Sequence, residues 1–281
     1  MGELPTDARL GAIRLRVGDV ERLTRFYEQA IGLQLVEDGP VTALGVDGHA
    51  LVELEAAPDA PPRPLHTTGL FHLAILVPSR ADLALALRRV AAAGWRLSGA
   101  SDHLVSEALY LSDPEGNGIE LYRDRPRDEW PAVGGVLQMD TLPLDLGSLL
   151  SEAEDVHGDV GMAAGTILGH VHLQVSDLTA AERFWADALG FDVTVRGYPG
   201  ALFVSAGGYH HHVGLNTWAG AGAPSPPDGA LGLDRFEVVL PNAEAVSEAG
   251  GRLAAAGPVE LVEDGVLAAD PSGNALLVRS A

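Results

Sequence analysis

The sequence contains no cysteine and no lysine among its 281 residues. Without cysteine the chain can form no disulfide, no thiolate nucleophile and no sulfur-ligated metal site. Any bound metal must therefore be held by His, Asp or Glu, a donor set that suits iron, manganese or zinc. All 18 basic residues are arginine, and 39 acidic residues outnumber them to give a formal net charge of −21. Such a surface repels phosphate groups, so we expect neither nucleic acid nor an anionic membrane as a partner.

Long apolar runs are also absent. No uninterrupted apolar stretch reaches the roughly 18 residues that suggest a membrane span. The segment Met1–Asp7 lacks the basic and apolar regions of a secretory signal peptide. We therefore expect a cytoplasmic protein. The hydrophobic fraction is 47%, and the length suits two domains of ordinary size, each with its own core.

Internal repetition is the clearest feature of the chain, and it is seen first in segments 10–19 and 168–177. Both segments alternate apolar and polar residues as strands do, and both end in an aspartate that suits a helix N-cap. An amphipathic helix is predicted after each, and it ends at Gly32 in the first case and Gly190 in the second. The two segments therefore begin copies of one unit.

A second pair of repeats starts at segments 69–78 and 232–241, each followed by an Ala-rich helix. Both copies later contain an Asp-Pro turn with Gly-Asn, at 113–118 and at 270–275. This composition is typical of turns because proline fixes φ and glycine tolerates positive φ. Two or three strands close each unit. The order strand, helix, three strands is thus predicted to occur four times.

The repeats also predict the domain boundaries. The first two units occupy residues 8–125 as one domain, and the last two occupy residues 166–281 as a second domain. Residues 126–165 form a linker, whose Pro- and Trp-containing first part is expected to pack and whose acidic stretch 151–159 is expected to be mobile. The predicted fold class is α+β, with four βαβββ modules.

Taken with His72 on one first strand, His170 on another and Glu120 shortly after the 113–118 turn, this repeat resembles the vicinal oxygen chelate superfamily. Within it the chain is similar to the two-domain catechol-2,3-dioxygenase-like proteins, and the resemblance covers nearly everything except the linker. The resemblance implies that paired modules curl into half-open barrels around a metal. It also implies that these three residues are the metal ligands.

The same resemblance bears on how the modules pair. The remaining first-strand positions hold Ala12 and Arg235, and the counterpart of the ligand carboxylate in the fourth module is Leu277. Pairing the second module with the third, and the first with the fourth, places all three implied ligands in one half-open barrel. We therefore expect this swapped pairing, which the long linker makes sterically possible.

The resemblance implies catalytic residues as well. Extradiol enzymes carry a His-His pair on the strand that we predict at Tyr209–Asn216, and we align His211 with the acid-base position. Strand alternation would put His210 and His212 on the opposite face, but the register is open by one residue, so all three stay candidates.

Three further histidine and tyrosine positions complete the implied site. Tyr110 matches a tyrosine that hydrogen-bonds a substrate hydroxyl, and His103 lies near the position of a second active-site histidine. His172 shares a strand face with His170 and could replace it as ligand or support it.

The expected function is extradiol ring cleavage of catechol or a substituted catechol by iron(II), or by manganese(II) in its place, with dioxygen. The expected partners are therefore a small aromatic diol and dioxygen, and strand edges of this fold could also support a homo-oligomer. Two alternatives stay open: another metal-dependent enzyme of the fold, either an isomerase or a thiol transferase, and a non-catalytic binding protein of the bleomycin-resistance kind. A glyoxalase-type isomerase would need a second carboxylate, and the predicted strand 209–216 contains none.

Overall fold

A computed structural model describes residues 2–154 and 161–281. Residues 155–160 lie outside the described residues, and they include residues 155–159 of the stretch 151–159 that was predicted to be mobile. The described chain is a mixed α+β fold, in which the order strand, helix, three strands occurs four times, as predicted. No helix among the described residues is long and apolar enough to cross a bilayer.

The first two modules show the repeat without interruption. Each module begins with a strand, continues through a helix and closes with three strands. Their elements are β1 (Arg9–Val17), α1 (Val20–Phe26), β2 (Gln34–Glu37), β3 (Val41–Val46), β4 (His49–Ala56), β5 (Gly69–Leu76), α2 (Arg80–Ala92), β6 (Gly99–Asp102), β7 (Ser106–Ser112) and β8 (Gly118–Asp124).

The segment between the second and third modules contains short elements where a linker was predicted. A 3₁₀ turn at Arg127–Glu129 precedes an exposed two-stranded hairpin. The elements that follow are β9 (Ala132–Val133), β10 (Val136–Leu137), β11 (Leu142–Pro143) and α3 (Leu146–Ser151). Strand β11 pairs antiparallel with β6, so this part of the linker is packed, as predicted for its first half.

The third and fourth modules repeat the same order. Their elements are β12 (Ile167–Gln174), α4 (Leu178–Glu182), β13 (Asp192–Val195), β14 (Ala201–Ser205), β15 (Val213–Asn216), β16 (Gly232–Leu240), α5 (Ala243–Ala256), β17 (Val259–Val262), β18 (Gly265–Ala269) and β19 (Ala275–Ser280). The domain boundaries at 8–125 and 166–281 stay a prediction.

Local chemistry explains where the helices of the first and third modules begin and end. Asp19 and Asp177 cap them through side-chain oxygens that accept backbone N–H groups three residues on. Both helices widen into π turns after their first turns, and both end at a glycine, Gly32 or Gly190, in the left-handed region. The predicted caps are thus confirmed, whereas the π turns carry no signal that apolar periodicity can detect.

Two sheets contain most of the strands. One has nine strands in the order β11-β6-β7-β8-β5-β12-β15-β14-β13, and the other has eight in the order β17-β18-β19-β16-β1-β4-β3-β2. The second and third modules thus contribute to one curled sheet, and the first and fourth to the other. This confirms the predicted pairing of modules into half-open barrels.

By compactness the chain separates into two units. One comprises Met1–Arg16, Ala60–Phe71 and Gly169–Ala281, and the other comprises Val17–Asp59 and His72–Leu168. In the first unit, α5 packs against the π turn Arg183–Leu189. In the second unit, α2 packs against α3 and against the π turn that follows α1. Both packings bury the apolar faces of the helices.

Candidate metal centre

His72 and Glu120 come together because β5 and β8 run parallel as neighbours. In their register Ala74 lies opposite Glu120, and His72 is two residues earlier on the same face of β5. Both side chains are buried, at 7% and 4% exposure, and Nε2 of His72 lies 3.0 Å from a carboxylate oxygen of Glu120. A buried carboxylate needs such a partner, because desolvation of an isolated charge is costly.

The turn before β8 sets the position of Glu120. Asp113 accepts backbone N–H bonds from Glu115 and Asn117 through Oδ1, and its Oδ2 accepts the Asn117 side chain and the Tyr27 hydroxyl. Burial raises the pKa of Asp113 above its ordinary value. Burial, with Asp113 adding to it, also raises the pKa of Tyr27. Asp113 is therefore more than a turn residue, since it also joins the π turn of the first module to the turn of the second.

His170 lies on β12 with only 2% of its surface exposed. Its ring centroid is 4.1 Å from that of His211 and 6.2 Å from that of His210. His72, Glu120 and His170 each offer one ligand atom, and these atoms all lie within 4.8 Å of one another. The structure thus brings together the three residues that the family resemblance implied as ligands, and their binding of a metal stays a prediction.

The donor set fits a divalent metal. Two imidazole nitrogens with one carboxylate oxygen suit non-haem iron, manganese or zinc. Three protein ligands also leave coordination positions open for other molecules.

The three consecutive histidines do not lie on a strand, in contrast to the prediction. Strand β15 begins only at Val213, and residues 209–212 form the irregular connection that leads into it. The alternation argument that separated His211 from its neighbours therefore fails. His210 and His211 instead face one another, with their Nδ1 atoms 2.7 Å apart. Such a contact requires a proton on one of the two nitrogens.

His212 has a different environment from the other two histidines. Its Nδ1 accepts the backbone N–H of Ala206 at 3.2 Å and lies 2.9 Å from the Ser205 hydroxyl. Its ring also stacks on Phe191. His211 makes a closer ring contact with His170 than His210 does, whereas His212 contacts the loop through Ser205 and Ala206.

His172 occupies the space beside Gly214, which is the third-module counterpart of Glu120. Strand β12 pairs with β15 in the same parallel arrangement as β5 with β8, and its register places His172 opposite Gly214. A Cβ atom at Gly214 would lie 2.9 Å from two ring carbons of His172. The ring also contacts Phe71, Phe203 and Trp218. The third-module position that matches Glu120 is therefore a glycine and carries no carboxylate.

Tyr110 and His103 lie beside the His72–Glu120 pair. Tyr110 is directly opposite Glu120 across β7 and β8, so both side chains emerge on one face of the sheet. The Tyr110 ring centroid is 5.7 Å from that of His72. The Tyr110 hydroxyl lies 2.7 Å from Nε2 of His103. Tyr110 and His103 thus lie near the candidate ligands, and their membership of the site and their catalytic roles stay predictions.

The repeated modules and the buried His-Glu-His group define a protein that is assembled from βαβββ units and has a candidate metal site. Residues 9–121 and 167–278 both match the family described as the Glyoxalase/Bleomycin resistance protein/Dioxygenase superfamily, and the chain belongs to that family.

One curated relative and two solved structures illustrate the family. The chain is 44% identical to a catechol-2,3-dioxygenase of Bacillus subtilis (strain 168), over 99% of both chains. Its fold is similar to that of a protein from Bacillus subtilis whose crystal structure is described provisionally as a dioxygenase, with a TM-score of 0.67. The two sequences are 13% identical, and the match covers 99% of this chain and 86% of the other. It is also similar to glyoxalase I from Zea mays, with TM-score 0.61, 15% identity and 98% and 92% coverage. At such identities the two structures bear on the fold alone.

Proposed function

We propose that this protein is an extradiol dioxygenase that opens the ring of catechol or a substituted catechol with dioxygen. Iron(II) is the proposed metal, with manganese(II) as the alternative. The observation that carries the proposal is the convergence of His72, Glu120 and His170, with ligand atoms within 4.8 Å of one another. The relative named as a catechol-2,3-dioxygenase, 44% identical over the full chain, supports the same reaction class.

The metal, when bound, would lower the pKa of a coordinated hydroxyl and hold two reactants side by side. The chain's own residues would do the rest. Tyr110 presents its hydroxyl on the same sheet face as Glu120, where it can hydrogen-bond a diol oxygen. His211, whose ring lies next to His170 and whose Nδ1 is 2.7 Å from Nδ1 of His210, would hold or deliver a proton.

Gly214 weighs against the isomerase alternative. A glyoxalase-type reaction would use a second carboxylate, and the position that matches Glu120 in the third module has no side chain at all. The space beside it is filled by His172. The described position that matches Glu120 in the third module therefore supplies no carboxylate that could act as a second base.

The test is oxygen consumption by protein that has been purified anaerobically and loaded with iron(II). We expect oxygen uptake and a yellow ring-opened product when catechol or one member of a panel of substituted catechols is added. His170→Ala should lose both, whereas Arg235→Ala is the matched control, because Arg235 holds the same first-strand position in the fourth module. Absence of turnover across the panel, with iron bound, would refute the proposal. Absence of bound metal would favour a ligand-sequestering protein.

A further inference from the structure

His103 lies between the Tyr110 hydroxyl and the main chain of the segment that was predicted to be a linker. Its Nδ1 is 2.8 Å from the carbonyl oxygen of Asp140, and its Nε2 is 2.7 Å from the Tyr110 hydroxyl. The Thr141 hydroxyl lies 3.4 Å from the same Nδ1. Each ring nitrogen therefore has a short polar contact, and the two contacts are chemically different.

The carbonyl determines the direction of both hydrogen bonds. A carbonyl oxygen can only accept, so Nδ1 of His103 must carry a hydrogen and donate it to Asp140. In the neutral imidazole Nε2 then holds a lone pair and can only accept. The Tyr110 hydroxyl must therefore donate its hydrogen to His103. With its one hydrogen directed to His103, the Tyr110 oxygen can act only as an acceptor toward any other group.

The turn that carries His103 is held in place from several sides. The backbone N–H of His103 donates to the Ser106 carbonyl, and the side chain of Asp102 accepts the N–H of Leu104. Leu104 has a φ of 69°, a left-handed conformation that is uncommon for a leucine and that persists only where surrounding contacts enforce it. Arg125 forms a 2.7 Å ion pair with Asp102.

Strand β11 attaches the segment around Asp140 to the same turn. In its pairing with β6, Leu142 lies opposite Asp102, the residue before His103. The Asp140 carbonyl is thus two residues from a strand that is hydrogen-bonded to the hairpin bearing the histidine. The contact between the Asp140 carbonyl and His103 is therefore fixed by strand pairing.

We propose that the segment around Asp140, which was predicted to be a linker, belongs to the active site; this inference rests on the proposed function. The main-chain carbonyl of Asp140 fixes His103 as the Nδ1-protonated neutral tautomer. His103 is a positioning residue that turns the hydroxyl hydrogen of Tyr110 toward itself. Tyr110 consequently meets the substrate as a hydrogen-bond acceptor, and the substrate group that it recognises is a protonated phenolic hydroxyl rather than a phenolate.

The first test reads the tautomer directly and needs no turnover. Full-length protein with ¹⁵N-labelled histidine, loaded with diamagnetic zinc, is studied by long-range ¹H–¹⁵N NMR, and His103→Gln identifies the signals of His103. We expect a protonated-type nitrogen at Nδ1 and a lone-pair-type nitrogen at Nε2. Protonation at Nε2 alone, or at both nitrogens, would overturn the proposal whether or not the protein cleaves catechols.

The second test is a double-mutant cycle on kcat/KM for ring cleavage. His103→Asn keeps a donor near the Asp140 carbonyl but removes the acceptor for Tyr110. We expect it to lower kcat/KM about tenfold, the equivalent of one hydrogen bond of about 1.4 kcal/mol. In a Tyr110→Phe background the same substitution should change kcat/KM less than about twofold, because no hydroxyl remains to be oriented.

Two further variants separate positioning from structural support. His103→Gln places an amide oxygen near the former Nε2, so it should restore most of the activity that His103→Asn loses. His66→Asn is the matched control for histidine replacement, because His66 is exposed in a loop and its φ of 62° suits asparagine. Equal losses from His103→Asn in both backgrounds, or no rescue by glutamine, would refute the positioning role. An inactive wild type would refute the oxygenase proposal and leave the NMR result to decide the tautomer.

Discussion

Gly214→Ala is expected to destabilise the protein through a clash with His172. The added Cβ would lie 2.9 Å from two carbons of the His172 ring and 3.1 Å from its Nδ1. The ring cannot move away freely, because it is 4% exposed and its centroid lies 5.4 Å from that of Phe71 and 5.3 Å from that of Trp218. Overpacking of this kind costs about 1–3 kcal/mol.

The net effect is smaller than the clash alone. Replacing glycine by alanine also removes entropy from the unfolded chain, which stabilises by about 0.4–1 kcal/mol. We therefore expect the free energy of unfolding of Gly214→Ala to fall by about 1–2 kcal/mol, which corresponds to a decrease in Tm of about 2–8 °C. Urea unfolding followed by circular dichroism measures the first quantity, and calorimetry the second.

A matched control and a second substitution test the cause. Gly99→Ala also places a methyl group on a strand glycine, but its nearest contact is the Tyr110 ring at 3.7 Å, an ordinary van der Waals distance. We expect it to be neutral or slightly stabilising. The destabilisation by Gly214→Ala should largely disappear in a His172→Ala background, where the ring is gone. If Gly214→Ala costs no more than Gly99→Ala, or costs as much without His172, the steric explanation is wrong.

Three further outcomes follow from other contacts. His170→Ala should remove bound metal from the purified protein, whereas Arg235→Ala should retain it, as elemental analysis will show. Because burial raises the pKa of Asp113, its contribution to stability is present below the unfolded-state pKa and is lost as the pH rises through the folded pKa. The urea midpoint of Asp113→Asn, which cannot ionise, should therefore improve relative to wild type as the pH rises from about 3 to about 7. Glu107→Ala should lower the free energy of unfolding by about 3 kcal/mol, because the buried carboxylate pairs with Arg80, Arg123 and Arg125. Arg80 and Arg125 would keep Glu152 and Asp102, so the main cost is the loss at Arg123. A loss below about 1 kcal/mol by chemical unfolding would contradict this.

The sequence by itself determined the four modules, and the family resemblance that they carry implied which residues would converge on the candidate metal site. Strand alternation, helix caps and Asp-Pro turns are properties of neighbouring residues, so they can be read without coordinates. The swapped pairing of modules was also predictable, because only that pairing gathers His72, Glu120 and His170. The recurrence of one unit allowed positions far apart in the chain to be compared.

The tertiary structure decided the features that depend on register and on the course of the main chain. The position of the three consecutive histidines ahead of β15, which places His210 against His211, follows from where that strand begins and not from alternation. The counterpart of Glu120 in the third module is Gly214, and only the parallel register that places Gly214 opposite His172 identifies it. The contact between His103 and the Asp140 carbonyl has no side-chain signal in the sequence, because every residue carries a carbonyl and only folding decides which of them a histidine meets.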